Sequence, residues 1–206
     1  MGTMKEVITD TVFTTAAEKI CKQIVDALMS NASVLLLLSG GSAVGVYEEM
    51  MKLLPTLSAS SYSKITVGLV DERYSADPNH EGSNTVAIEK TGFFDFFRGH
   101  GARIETILHG KSMEEEVSVY NEAISHQLLA ISIGIFGIGE DGHTAGIFPT
   151  AIKEEFTGLY EKNVILNSFQ DLKTYEIPKQ VRNDGIENFV VGHHEGIPPF
   201  ADRITI

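Results

Sequence analysis

The stretch VLLLLSGGS at residues 34–42 decides the fold. Five aliphatic residues in an unbroken run are typical of a strand that is buried on both faces, and the glycine pair follows the run at once. From Tyr47 to Leu54 the apolar residues recur at helical spacing, and Pro55 ends the predicted helix. The stretch therefore predicts a strand, a tight turn and a helix, which together form one unit of a parallel α/β sheet.

Further periodic segments flank this unit and alternate between helix and strand. They are a helix from a Thr15–Glu18 capping box to about Ser30, a strand at 65–69, a helix that begins with a Ser112–Glu115 capping box, and a strand at 131–136. We therefore expect an α/β fold of the Rossmann-like type. Its sheet is expected to be doubly wound and mainly parallel, with helices on both faces.

Composition and charge limit the class of protein. The 206 residues are 43% hydrophobic and 21% charged, which is typical of a single globular domain. A net charge of −12 argues against a nucleic-acid partner, because such partners need a basic surface. The only cysteine, Cys21, lies on the apolar stripe of a predicted helix, so we interpret it as a core residue in a reducing cytosol.

No segment predicts a membrane partner. The longest aliphatic run, residues 34–38, is far too short to cross a bilayer, and the first ten residues lack the apolar core of a signal peptide. We therefore expect a cytoplasmic protein that does not bind membranes and that is a monomer or a weak homo-oligomer.

The last quarter of the chain lacks a clear period. Residues 167–184 fit neither helix nor strand, and we interpret them as an atypical insertion in a single domain that spans residues 1–206. Strands are predicted at 189–191 and from Arg203 onwards. Because the chain ends inside the second of these strands, we expect C-terminal elements of the fold to be missing.

Polar segments follow three of the predicted strands, at residues 39–42, 71–73 and 137–144. Ligands of open parallel sheets bind at the carboxyl ends of the strands. The three segments are therefore expected to meet and to form the functional site.

The first segment contains Gly40, Gly41 and Ser42 between a strand and a helix. Two glycines allow a tight turn in which several N–H groups converge near the positive end of the helix dipole, and such a turn can bind an anion such as phosphate. The alternative is that the glycines only allow the chain to turn. No complete nucleotide-binding motif decides between the two.

The second segment is Asp71-Glu72-Arg73. An arginine can form paired hydrogen bonds with a phosphate, and Asp71 could orient or accept a proton. A solvated charge cluster is the alternative. Further along, Ser83 and Asn84 could bind a sugar hydroxyl, or they could cap the helix that follows.

The third segment carries the densest set of reactive groups. In GIGEDGHT, Gly139 precedes Glu140 and Asp141, and His143 stands two positions later, before Thr144. Histidine is suited to proton transfer near neutral pH, and a neighbouring carboxylate can fix its tautomer. We interpret His143 as a catalytic base rather than as a surface histidine.

The remaining polar clusters do not match a known metal or nucleophile motif. His193, His194 and Glu195 lack the spacing of a zinc site, and no nucleophile elbow is present. We therefore expect no metal and no cofactor.

Five sequence elements together resemble the 6-phosphogluconolactonase family. They are LSGGS at 38–42, VDER at 70–73, SN at 83–84, GIGEDGHTAGIFP at 137–149 and PPFADRIT at 198–205. The sister family, glucosamine-6-phosphate deaminase, shares the GEDGH core but typically carries Asp-Glu-Tyr at the second element. Arg73, Thr144 and the Phe-Pro pair at 148–149 favour the lactonase.

The resemblance implies hydrolysis of 6-phosphoglucono-1,5-lactone, a sugar phosphate lactone, to 6-phosphogluconate in the oxidative pentose phosphate pathway, without a cofactor. It implies that His143 is the general base and that Asp141 and Glu140 orient it. The residues that it implies bind phosphate or sugar are Gly40, Gly41, Ser42, Asp71, Arg73, Ser83, Asn84, Gly139 and Thr144.

The chain also departs from the family pattern. Ala43-Val44 stands where Thr-Pro commonly follows the glycine loop, and Gly196-Ile197 stands where a lysine commonly precedes the Pro-Pro turn. Two alternatives therefore stay open beside the lactonase. One is a glucosamine-6-phosphate isomerase/deaminase, and the other is an inactive, truncated remnant that binds sugar phosphates.

Overall fold

The computed structural model describes residues 13–54, 57–127, 130–137, 190–192 and 203–205, the last two as backbone. Its helices are α1 (Thr14–Met29), α2 (Val44–Leu53), α3 (Ala59–Tyr62), α4 (Asn84–Glu89), α5 (Phe93–Gly99) and α6 (Met113–Ser125). Its strands are β1 (Val34–Leu38), β2 (Ile65–Leu69), β3 (Asp71–Arg73), β4 (Arg103–Ile104), β5 (Ile131–Phe136), β6 (Val190–Gly192) and β7 (Arg203–Thr205).

Within these ranges the main sheet has the strand order β4-β2-β1-β5-β6. The pairs β4–β2, β2–β1 and β1–β5 are parallel, and β6 joins the edge of the sheet antiparallel to β5. The predicted α/β class with a mainly parallel sheet is therefore confirmed. The short strand β3 lies outside this sheet and pairs antiparallel with β7.

The central strands are covered on both faces, since every residue of β1 and β2 is buried. A side chain at Gly68 of β2 would place its Cβ 2.5 Å from the hydroxyl of Tyr120, so α6 packs closely on this strand. The continuous apolar run that predicted β1 thus reflects burial on both faces.

Cys21 lies in the packed core where α1 meets α2. Its side chain is 6% exposed, and the thiol donates a weak hydrogen bond to the carbonyl oxygen of Met50. Burial raises the pKa of the Cys21 thiol to about 12, so the group stays protonated and unreactive at neutral pH. The interpretation of Cys21 as a core residue is confirmed.

The two predicted capping boxes have different outcomes. The Ser112–Glu115 box is present in full at the start of α6. The prediction for Thr15 is wrong, because α1 begins at Thr14 after Phe13 and has no side-chain cap. The ring of Phe13 packs on Gly45 of α2, where a Cβ would lie 2.2 Å from it, so tertiary packing sets this helix start.

None of the described helices combines the length and the apolar character that a bilayer crossing requires.

Candidate functional site

The glycine loop after β1 turns sharply into α2. Gly41 has φ of +62°, in the left-handed region that glycine adopts readily, and one turn of 3₁₀-helix at Gly41–Ala43 leads into the helix. The buried hydroxyl of Tyr47 donates to the carbonyl oxygen of Ser39 at 2.5 Å and so ties α2 to the start of the loop. The predicted turn is confirmed, whereas anion binding by the loop stays a prediction.

Segment 71–73 lies beside the glycine loop. The N–H of Val70 donates to the carbonyl oxygen of Leu38 at 2.8 Å, which keeps the two strand ends together. Ser39 Oγ lies 3.5 Å from Asp71 Oδ1, and both residues are 5% exposed. Two of the three predicted segments therefore meet at the carboxyl edge of the sheet.

Glu72, between the two candidate binding residues, has a structural role. It is fully buried, and its carboxylate accepts five hydrogen bonds, four from the segment that starts α4 and one from the N–H of Arg73. The donors are the N–H groups of Arg73, Asn84 and Thr85 and the hydroxyls of Ser83 and Thr85, at 2.7–2.9 Å. This carboxylate therefore fixes the start of α4 beside β3.

Ser83 and Asn84 link β3, α4 and the glycine loop. Ser83 Oγ accepts from the N–H of Val86 and so caps α4, which was one of its two predicted roles. The side-chain amide of Asn84 donates to the carbonyl oxygen of Asp71 at 2.9 Å. Asn84 Oδ1 lies on Gly40, where a Cβ would be only 2.0 Å from it. Binding of a sugar hydroxyl by either residue stays a prediction.

The third predicted segment begins beside the glycine loop. A Cβ at Gly137 would lie 3.4 Å from Ser42 Oγ and 4.0 Å from the carbonyl oxygen of Gly40, so the end of β5 reaches the glycine loop. The other predicted residues of this segment lie outside the described residues, and their roles stay predictions. They are Gly139, Glu140, Asp141, His143 and Thr144.

Arg73 offers an unpaired positive charge at this edge. Its side chain is exposed, and no described residue accepts a hydrogen bond or forms an ion pair with its guanidinium. The chain as a whole carries a net charge of −12. A guanidinium that has no carboxylate partner among the described residues is well suited to an anionic ligand.

Two buried tyrosines hold the strand ends, and the sequence predicted neither of these contacts. Tyr120 of α6 accepts from the N–H of Leu69 at 2.7 Å and donates to the carbonyl oxygen of the same residue at 2.9 Å. Tyr47 holds the end of β1 through Ser39. Burial raises the pKa of both hydroxyls, so they stay protonated. No periodic signal separates such an anchoring tyrosine from an ordinary core residue.

Within the described ranges, no three histidine, cysteine or carboxylate side chains converge in a way that would hold a metal ion.

Comparison with known proteins gives a family match over most of the chain. The family described as glucosamine-6-phosphate isomerases/6-phosphogluconolactonase matches residues 9–167. A 6-phosphogluconolactonase of Pseudomonas aeruginosa is 28% identical over 138 residues, which are 66% of this chain and 54% of the relative. One from Xylella fastidiosa is 32% identical over 117 residues, which are 57% of this chain and 46% of the relative. The chain thus spans about half the length of these two relatives.

A second kind of relative also matches. A glucosamine-6-phosphate deaminase of Clostridium acetobutylicum is 29% identical over 180 residues, which are 85% of this chain and 72% of the relative.

Solved structures share the fold. A 6-phosphogluconolactonase from Plasmodium vivax superimposes with a TM-score of 0.57 at 24% identity, over 79% of this chain and 56% of that one. One from Thermotoga maritima gives 0.54 at 21% identity, over 69% and 62%. At these identities the likeness shows the α/β architecture.

Proposed function

Because the chain belongs to the glucosamine-6-phosphate isomerase/6-phosphogluconolactonase family, we propose that it hydrolyses 6-phospho-D-glucono-1,5-lactone to 6-phospho-D-gluconate. The observation that carries the proposal is the guanidinium of Arg73, which has no partner among the described residues and belongs to segment 71–73, the segment that meets the glycine loop at the carboxyl edge of the sheet. A phosphate group on the substrate would provide the negatively charged partner for this guanidinium.

The phosphate end of the proposed site comprises Arg73 and the backbone of Gly40, Gly41 and Ser42. Binding energy from a remote phosphate can hold the lactone ring in the geometry that the reaction needs. Asp71, Ser83 and Asn84 are proposed to contact the sugar hydroxyls at the same edge.

The proposed reaction is attack of a water molecule on the lactone carbonyl carbon. His143 accepts a proton from the water as the new C–O bond forms, and N–H groups stabilise the negative charge that develops on the carbonyl oxygen. The bond between the carbonyl carbon and the ring oxygen then breaks, and the proton passes to that oxygen, which becomes a hydroxyl. Asp141 and Glu140 are proposed to orient His143, and Gly139 and Thr144 to contact the substrate.

The proposal requires no metal and no cofactor, because a lactone is an ester that a general base and a stabilised oxyanion can hydrolyse. The protein is further proposed to be cytoplasmic and to act as a monomer or a weak homo-oligomer on a small-molecule substrate, without a nucleic-acid partner. The net charge of −12 supports the last point.

One alternative reaction has a specific observation in its favour. The deaminase relative aligns with 85% of this chain, more than the two lactonase relatives do. Arg73 argues against a deaminase, because the deaminase family typically has tyrosine at this position.

A turnover assay separates the candidate functions. Fresh 6-phosphogluconolactone is given to the chain, and the rate is compared with spontaneous hydrolysis. A parallel sample receives glucosamine 6-phosphate, and the ammonia that it releases is measured. Lactone turnover well above the spontaneous rate is expected, and ammonia release alone would establish the deaminase. Binding of 6-phosphogluconate with no turnover of either substrate would establish an inactive remnant.

The proposed base has its own test. His143→Asn is expected to lower the lactonase rate by about two to four orders of magnitude, which is the usual effect of removing a positioned base. Circular dichroism checks that the variant keeps its fold. A turnover rate near that of the parent chain would remove His143 from the mechanism.

A further inference from the structure

The guanidinium of Arg73 lies directly on the backbone of Gly82. A Cβ at Gly82 would be 2.4 Å from Arg73 Nη1 and 3.5 Å from Cζ. Real Cβ atoms do not approach other atoms this closely, so the observed position of the guanidinium depends on the absence of a side chain at residue 82.

His80 contacts Arg73 close to the same glycine. Its Nε2 lies 3.1 Å from the carbonyl oxygen of Arg73. A carbonyl oxygen only accepts hydrogen bonds, so Nε2 carries the hydrogen, and Nδ1 faces Gly82, 3.4 Å from the Cβ position. The imidazole therefore holds the Arg73 backbone and borders the space that the guanidinium occupies.

The surface beneath the guanidinium is fixed by buried contacts. Gly82 is followed by Ser83, which is 2% exposed and hydrogen-bonded to the buried carboxylate of Glu72. The next residue, Asn84, packs on Gly40 of the glycine loop. The position of Arg73 is thus tied to that of the loop through the short segment 82–84.

We propose that Gly82 and His80 are positioning residues that direct the Arg73 guanidinium towards the phosphate group of the substrate. The identity of that phosphate rests on the proposed function, whereas the contacts among Arg73, His80 and Gly82 do not. Gly82 acts by leaving room for the guanidinium, and His80 acts by holding the backbone that carries it.

Gly82→Ala tests the first role. The methyl group would collide with the end of a flexible side chain, so the fold can adapt by moving the guanidinium away. The KM for 6-phosphogluconolactone is expected to rise about tenfold, because a charge-assisted contact to phosphate is lost, while kcat changes by less than about twofold. Gly99→Ala is the matched control, since nothing lies within 4 Å of a Cβ there, and its KM is expected to stay unchanged.

A double variant distinguishes positioning from a general structural effect. In an Arg73→Ala background the methyl group at residue 82 has no guanidinium to displace. Arg73→Ala with Gly82→Ala is therefore expected to have the KM of Arg73→Ala alone. An unchanged KM in Gly82→Ala, or a further rise in the double variant, would overturn the role of Gly82.

His80 is tested by a pair of substitutions. His80→Ala removes the hydrogen bond to the Arg73 carbonyl and is expected to raise the KM severalfold. His80→Gln keeps an N–H donor near the position of Nε2 and is expected to restore most of the affinity. Equal KM values for the two variants would overturn the role of His80.

Binding of inorganic phosphate, measured by calorimetry, keeps this test separate from that of the proposed function. A chain without lactonase activity in which Gly82→Ala weakens phosphate binding would refute the proposed function and support the positioning role. A fully active chain in which Gly82→Ala changes neither phosphate affinity nor KM would refute the positioning role alone.

Discussion

At the scale of single residues, Glu72 shows how a charged side chain can serve the fold inside a segment of candidate ligands. Its two neighbours, Asp71 and Arg73, border the proposed site, whereas its own carboxylate is fully buried and accepts five hydrogen bonds. In the sequence the three residues form one polar triplet. Only the structure separates the role of the middle residue from the roles of the other two.

Glu72→Gln is expected to destabilise the chain. The amide that replaces one carboxylate oxygen would face N–H and hydroxyl donors instead of accepting from them. The expected loss in the free energy of unfolding is about 1.5–3 kcal/mol, typical of hydrogen bonds to a charged group, and urea denaturation measures it. Glu81→Gln, at an exposed carboxylate nearby, is the control. Equal stability of the two variants would contradict the role given to Glu72.

At the scale of elements, α6 holds the end of β2 through one hydroxyl. The partner strand β4 ends at Ile104, opposite Val67, so no strand of the described ranges pairs with Leu69 on that side. The hydroxyl of Tyr120 forms hydrogen bonds with both the N–H and the carbonyl oxygen of Leu69. The helix thus completes the hydrogen bonding of β2 just before the segment that carries Asp71 and Arg73.

Tyr120→Phe is expected to lower the free energy of unfolding by about 1–3 kcal/mol, because it leaves buried backbone groups of Leu69 without a partner. Tyr74→Phe provides the matched control. Its hydroxyl donates to the carbonyl oxygen of Lys111 at the exposed surface, where water can replace it, so little change is expected. Thermal unfolding of the two variants makes the comparison. A larger loss in Tyr74→Phe would contradict this account.

The start of α6 also carries a pH-dependent contribution to stability. Burial acts to raise the pKa of the Glu116 carboxyl, but hydrogen bonds from the N–H groups of Lys111 and His109 and from the His109 ring outweigh it and lower the pKa below 4.5. A carboxyl whose pKa is lowered in the folded state stabilises that state above the unfolded pKa. This stabilisation is lost as the pH falls through the folded pKa.

Glu116→Gln is therefore expected to be less stable than the parent chain at neutral pH, with a gap that closes below about pH 4.5 as Glu116 itself becomes protonated. Urea unfolding between neutral and acidic pH measures the gap. Glu114→Gln, at an exposed carboxylate of the same helix turn, serves as the control. A gap of constant size at every pH would contradict the assignment to Glu116.

The sequence predicted the central elements closely because their patterns arise from burial. The runs at 34–38, 65–69 and 131–136 coincide with β1, β2 and β5. The two residues of β4 are too few to show a period. Helix α5 is rich in phenylalanine and does not show a clear amphipathic pattern. These two elements are therefore visible only in the folded chain.

At the scale of the whole molecule, topology brings together what the sequence separates. The glycine loop, Asp71 and Gly137 meet at one edge because parallel strands place their carboxyl ends there, as predicted. Asn84 reaches the same edge from the start of α4. The contact of Arg73 with Gly82 and His80 has no comparable signal, since it arises in irregular chain between β3 and α4. Sequence patterns therefore predicted which strand ends meet, whereas the finer contacts at this edge required the structure.

Because the chain carries a net charge of −12, a local cation such as Arg73 is important for binding an anionic substrate. An acidic chain offers an anionic substrate no general attraction, so selectivity for phosphate must come from local groups at the site. Among the described residues at the proposed site, Arg73 is the unpaired cation.

The most direct test is calorimetric binding of 6-phosphogluconate and of gluconate to the parent chain and to Arg73→Ala. The two ligands differ only in the phosphate group. Arg73→Ala is expected to weaken binding of 6-phosphogluconate about tenfold or more and to leave binding of gluconate unchanged. Equal weakening of both ligands, or no change for 6-phosphogluconate, would contradict the assignment of Arg73 to the substrate phosphate.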